Sequence, residues 1–196
     1  VLAVISREDF FDGEAHCVHE FFRRGLQRYH VRKPGADEKS HRDFLESLPA
    51  KYHSRIVLHN YHHLGDLFSV GLHARYSRLI AGVSKDAVQS TSCHSFDEVE
   101  YCAEAFPFLQ SLFLSPVFDS ISKEGYRSAF CTHQLGRFLQ KEFPFEIIAL
   151  GGITAHRMDS LRFMGFDGAA VLGALWYGRD SNYMQRFEHL KKAWEL

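Results

Sequence analysis

The sequence lacks an excess of charge of either sign: 23 lysines and arginines stand against 24 aspartates and glutamates in 196 residues. A chain with no positive field across it has little to hold a nucleic-acid backbone, so nucleic acid is not an expected partner. Long apolar runs are also missing. Histidine, arginine, aspartate or lysine interrupts every one well before the roughly 20 residues that a bilayer span needs, and no membrane association is expected. The four cysteines, Cys17, Cys93, Cys102 and Cys131, lie far apart with no CxxC spacing, which speaks for reduced thiols rather than a disulfide framework. The opening residues Val1 to Ile5 run directly into Arg7, Glu8 and Asp9 without a basic region or cleavage signature. A mature cytoplasmic protein is the expectation. Internal repeats, linkers and low-complexity segments are absent too, so residues 1–196 read as one domain.

What is present is a rhythm. Short apolar, β-branched runs recur at Leu2 to Ser6, Tyr29 to Arg32, Ile56 to His59, Val70 to His73, Ser90 to Cys93, Ser111 to Ser115, Ile147 to Leu150 and Ala169 to Leu172. The fifth is weak, and Leu79 to Val83 competes for its place. Between them, Ala15 to Leu26, Asp37 to Leu48, Phe96 to Ala105, Thr132 to Lys141 and Ala155 to Met164 carry helical spacing, and Tyr183 to Leu196 reads as a closing helix. Eight strand-then-helix units imply right-handed parallel crossovers and a closed (β/α)8 TIM barrel of the α/β class, with an open doubly wound sheet as the alternative. The crossover between the third and fourth strands is tight, since only Asn60 to Ser69 can form it.

Such barrels bind ligands where the strands end, and polar residues gather there: Arg32 and Lys33, His59 and Asn60, His73, Ser92 to His94, Ser115, and Gly151-Gly152. The turn Ala149-Leu150-Gly151-Gly152-Ile153-Thr154 leads from a strand into a helix that Thr154 is placed to cap, and Gly173 ends the neighbouring strand. Glycines and a helix N-terminus favour a bound phosphate. Arg32, Lys33 and Lys123, with Ser120 and Ser122, form a second donor set suited to pyrophosphate. His59, His62 and His63 invite a metal reading, but His59 closes a strand while the other two belong to the next helix, so no common metal centre is expected. Cys93 and His94, adjacent on a strand, point to opposite faces and form no nucleophilic pair.

Taken in order, these motifs resemble the thiamin phosphate synthase and thiazole tautomerase family over about Leu2 to Leu175. The family's Gln-x-Arg appears as His30-Val31-Arg32, its strand-three Asn as Asn60, its Gly-Val-His as Gly71-Leu72-His73, and its Ser-x-His element as Ser92-Cys93-His94-Ser95. The segment Ser115-Pro116-Val117-Phe118-Asp119-Ser120-Ile121-Ser122-Lys123 and the turn Gly151-Gly152-Ile153 follow. The resemblance implies a transferase that joins hydroxymethylpyrimidine diphosphate to a thiazole phosphate, making thiamin phosphate and pyrophosphate. It implies Arg32, Asn60, Ser120, Ser122 and Lys123 on the diphosphate with magnesium, His30, His73 and Ser92 near the pyrimidine, and Gly151, Gly152 and Gly173 on the thiazole phosphate; Arg32, Lys123 and Ser92 would carry the catalytic roles. Two departures stand out. The metal-binding aspartates of the family are replaced by Tyr61 and by the stretch Ala74-Arg75-Tyr76-Ser77, so magnesium would rest mainly on the substrate, with Lys33 or Arg75 supplying part of its charge. The alternatives are a tautomerase-like isomerase and a non-catalytic binder of thiamin-related phosphates. Small phosphorylated molecules are the expected partners, and a homo-oligomer is compatible with all three.

Overall fold

The structure, a computed structural model, describes residues 1–82, 88–119, 130–177 and 182–196. Eight parallel strands close into a barrel in sequence order: β1 (Leu2–Ile5), β2 (Arg28–Val31), β3 (Ile56–Leu58), β4 (Gly71–Arg75), β5 (Val88–Cys93), β6 (Ser111–Leu114), β7 (Glu146–Ala149) and β8 (Gly168–Val171). Closure is direct, because β1 pairs with β2 on one side and with β8 on the other. The fold is therefore the (β/α)8 barrel, and the open sheet is excluded. Among the described residues no helix is long and apolar enough to cross a membrane.

The weak fifth strand is the Val88–Cys93 segment. Its competitor forms no strand over its described residues 79–82: Leu79 and Ile80 end the short helix α4 (Tyr76–Ile80), with Leu79 buried, and Val83 lies outside the described residues. The other helices are α1 (Glu14–Arg23), α2 (Glu38–Glu46), α3 (Leu64–Phe68), α5 (Phe96–Ala105), α6 (Thr132–Phe138), α7 (Met158–Met164), α8 (Gly173–Trp176) and α9 (Tyr183–Glu195). Side-chain caps set three of the starts, since Asp37 accepts from the Ser40 amide, Ser95 from the Glu98 amide and Asn182 from the Gln185 amide. The tight third crossover is met by keeping α3 to five residues. Several helices are shorter than their periodicity suggests. The segment expected to run from Ala155 begins as a 3-10 turn over Ala155–Arg157, and α7 starts only at Met158.

Strand alternation sorts the side chains into two populations. Tyr29, Val31, Leu58, Leu72 and Ala74 face outward into the large core shared with the helices. The barrel lumen holds a small separate apolar cluster of Ala3, Ile5, Phe113, Ile148 and Ala170. These come from β1, β6, β7 and β8. The other half of the lumen is lined from β2, β4 and β5 by His30, His73 and Ser90, all buried, and the candidate site grows from this polar half.

Candidate active site

At the C-terminal ends of β2, β3 and β4 three imidazoles meet. His30 Nδ1 lies 3.2 Å from His59 Nε2. The His59 and His73 rings stack with centroids 4.1 Å apart, and His30 meets both edge-on. Phe113 on β6 closes the group from the apolar side, 4.7 Å from the His30 ring and 5.5 Å from that of His73. Neighbouring β5 fixes the His73 ring with two hydroxyls, Ser90 Oγ at 2.9 Å from Nδ1 and Ser92 Oγ at 3.1 Å from Nε2. Ser90 and Ser92 share a face because they are two residues apart, and the register pairs His73 with Ser90. Burial drives the pKa values of His30 and His59 well below the usual imidazole range and that of His73 down to about 3, and the proton's charge on adjoining histidines acts in the same direction. At neutral pH the three rings are uncharged.

The structure thus brings together His30, His73 and Ser92, and adds His59 and Ser90. These two additions had a readable signal: His59 follows a strand beside His30, and Ser90 precedes Ser92 by one strand period. His62 and His63 stay apart from the group. His62 Nε2 lies 3.0 Å from the His73 carbonyl oxygen, and His63 pairs with Glu38 on the outer surface.

Arg32 stands just past the end of β2. Its amide donates to Ser6 Oγ at 2.9 Å, which ties it to the end of β1, and its guanidinium pairs with Glu8 at 2.9 Å. Asn60 reaches toward the same corner, donating to the Lys33 carbonyl at 3.4 Å. Lys33 itself does not. Its side chain is fully buried, with Nζ 2.7 Å from Glu14 Oε2, 2.8 Å from the Asp9 carbonyl and 4.5 Å above the Phe10 ring. Glu14 also accepts from the Tyr29 hydroxyl at 2.7 Å. The expectation that Lys33 contacts a bound anion is therefore corrected: α1 captures its charge outside the barrel wall. Arg75, the other charge considered as a stand-in for the metal's, ends β4 with its side chain exposed. Ser120, Ser122 and Lys123 lie outside the described residues.

Across the mouth, Gly151 and Gly152 follow β7 with positive φ, 98° and 65°. A side chain on Gly151 would place its Cβ 2.8 Å from Pro116, and one on Gly152 would collide with the Asp119 carbonyl. Their glycine identity is therefore demanded by the loop after β6, which donates from Val117 and Phe118 to the carbonyls of Leu150 and Gly151. Thr154 precedes the 3-10 turn without a side-chain cap, contrary to expectation. Sequence reading missed Arg157, whose Nη1 donates to the Gly152 carbonyl at 2.6 Å while its guanidinium lies 4.5 Å from the Phe118 ring centroid. It brings a fixed positive charge to this turn. Gly173 begins the single turn α8 at the end of β8.

Magnesium is a hard cation that takes oxygen ligands, commonly one or two carboxylates. Where the family carries its aspartates, Tyr61 donates its hydroxyl to the Ala36 carbonyl at 3.0 Å, and Ala74 to Ser77 supply no carboxylate. These residues do not fit a magnesium ion held by the protein.

Comparison with known proteins agrees with this geometry. A curated thiamine-phosphate synthase from Latilactobacillus sakei subsp. sakei (strain 23K) is 26% identical over 157 residues, covering 76% of this chain and 68% of that one. The crystal structure of a thiamine phosphate pyrophosphorylase from Bacteroides thetaiotaomicron superposes with a TM-score of 0.79 at 30% identity, over 98% of this chain and 94% of that one. A thiamine phosphate pyrophosphorylase from Pyrococcus furiosus superposes with a TM-score of 0.77 over 99% and 95% of the two chains, and at 17% identity it speaks to the fold alone. The family model for thiamine monophosphate synthase matches residues 1–175, and the chain belongs to that family.

Proposed function

We propose that this protein is a thiamin phosphate synthase, a transferase that couples hydroxymethylpyrimidine diphosphate to thiazole phosphate with release of pyrophosphate. The observation that supports it best is the neutral cluster of His30, His59, His73 and Ser92 beside the Arg32–Asn60 corner: uncharged rings and a hydroxyl suit a heteroaromatic pyrimidine, and the adjoining cation suits its diphosphate. The pyrimidine methylene's bond to the diphosphate oxygen breaks, the pair of electrons leaves with pyrophosphate, and the thiazole nitrogen forms the new bond to the methylene carbon. Arg32 and Asn60 stabilise the departing charge, with Ser120, Ser122 and Lys123 completing the set as the family resemblance implies. Electrostatic stabilisation carries the rate, as no general base is needed for the attack. Thiazole phosphate is received on the opposite rim by Gly151, Gly152 and Gly173, with Arg157 beside them. Magnesium comes to this site on the diphosphate, since Tyr61 and the stretch Ala74 to Ser77 stand where the resemblance implies metal-binding aspartates. The tautomerase and binder readings have no comparable support, because the relatives cited are named as a thiamine-phosphate synthase and a thiamine phosphate pyrophosphorylase.

The test is thiamin phosphate formation by the purified protein from the two substrates, with magnesium and with chelator. Turnover with magnesium supports the synthase. Absence of turnover while thiazole phosphate still binds would overturn it in favour of the isomerase or the binder.

A further inference from the structure

The three lumen histidines offer something that neither coupling substrate requires, a set of nitrogen donors with no carboxylate. One ligand nitrogen from each of His30, His59 and His73 lies within 4.8 Å of the others. His30 Nδ1 and His59 Nε2 stand 3.2 Å apart, close to the edge of about 3.3 Å that a tetrahedral site with metal–nitrogen bonds of 2.0–2.1 Å requires. His30 is fully buried, and its Nε2 has no hydrogen-bond partner among the described residues. An ion on Nδ1 would fix His30 as the Nε2–H tautomer. The support around the rings is also of the kind metal sites use. The Ser90 hydroxyl holds His73 from Nδ1 and leaves Nε2 turned toward Ser92. His59 is half-buried, which leaves an entry path from the mouth.

We propose that His30, His59 and His73 bind one divalent transition ion of the zinc class, with a fourth position open to water or to an anionic oxygen. Imidazole nitrogens select such borderline ions over magnesium. Binding requires the near-parallel stack of His59 on His73 to open, because the lone pairs of stacked rings do not converge, and His59 can swing at the rim while His30 and His73 stay packed. The ion would occupy the same rings that the synthase reading gives to the pyrimidine, and the two are tested apart, because this one is read by metal uptake and needs no turnover.

The experiment uses untagged, chelator-stripped full-length protein titrated with cobalt(II), followed by the ligand-field absorption of the bound ion and by calorimetry. The expected result is one cobalt per chain with the intense visible bands of a four-coordinate centre, displaced by stoichiometric zinc(II) and unaffected by excess magnesium. His59→Gln should weaken uptake more than about 100-fold, beyond the 10–100-fold typical of losing an outer-shell partner. His189→Gln, an exposed position on α9, should leave uptake unchanged. Wild-type protein that takes up no cobalt, or takes it up without stoichiometry, overturns the site whatever the folding of the variants. So does equal uptake by folded His59→Gln protein.

Discussion

At the scale of single residues, two neighbouring cations have opposite fates, and the barrel wall divides them. Arg32 stays at the mouth, half-exposed and paired with Glu8, while Lys33 is drawn into α1's side of the wall by Glu14 and Tyr29. Nothing in the string Arg-Lys-Pro-Gly distinguishes them. The distinction needs Glu14, nineteen residues away, whose acidic side chain sits in the first turn of α1 and lies 2.7 Å from the lysine. Removing Lys33 leaves Glu14 buried without its counter-charge, so Lys33→Met should cost about 3–5 kcal/mol in urea unfolding. Replacing both partners with apolar residues should recover much of that loss. Arg32→Ala should instead leave unfolding nearly unchanged and reduce kcat for thiamin phosphate formation by roughly 100-fold to 1000-fold, the usual scale for losing one fixed donor to developing charge. If Lys33→Met reduced kcat in the same way without loss of stability, the assignment of its ammonium to a structural ion pair would be wrong.

The elements were legible in proportion to how strongly one principle governed them. The β-branched runs buried on both faces marked all eight strands, and the helical spacing of Asp37 to Leu48 and Phe96 to Ala105 located α2 and α5. Leu79 to Val83 competed with the fifth strand because a short apolar run carries no periodicity of its own; tertiary packing put Leu79 in a helix. The glycine turn after β7 was located correctly, yet its reason is partly internal. Gly152 needs positive φ and an empty side-chain position against the Asp119 carbonyl. Backbone strain and overpacking each cost about 1–3 kcal/mol, so Gly152→Ala should destabilise by about 2–6 kcal/mol even without any ligand present. Gly136, inside α6 with open space around it, is the control. There Gly136→Ala should stabilise by about 0.5–1 kcal/mol, because a helix-interior glycine carries only its entropic cost. Thermal unfolding of both variants distinguishes a turn shaped by its neighbours from one kept only for a phosphate, which would show little change in the ligand-free protein.

For the whole molecule, the lumen's division into an apolar and an imidazole half sets how the fold responds to acid. His73 and Ser92 could be gathered from the sequence because they fall at strand ends and His30 because the family resemblance implies it, whereas their convergence with His59 depends on barrel closure and register, which no local pattern carries. Folding places the three rings where desolvation disfavours the imidazolium, so in the folded chain they protonate far below their ordinary value of 6.5, with His73 at about 3. In the unfolded chain each ring takes up its proton near 6.5. Between these limits the unfolded state binds more protons than the folded one, and stability therefore falls as pH falls. Each ring contributes about 1.4 kcal/mol per pH unit, so the three together give a slope of up to about 4 kcal/mol per unit below pH 6.5 and none from this source above it. Urea midpoints of chelator-treated protein should be level on this account from about pH 8 to 7 and drop steeply toward pH 5, with His73→Asn reducing the slope by about a third. A profile that stays level through pH 5 would mean that the rings are protonated as readily in the folded chain as in the unfolded one, which would place water around them and remove the dry, uncharged ring cluster that the pyrimidine assignment rests on.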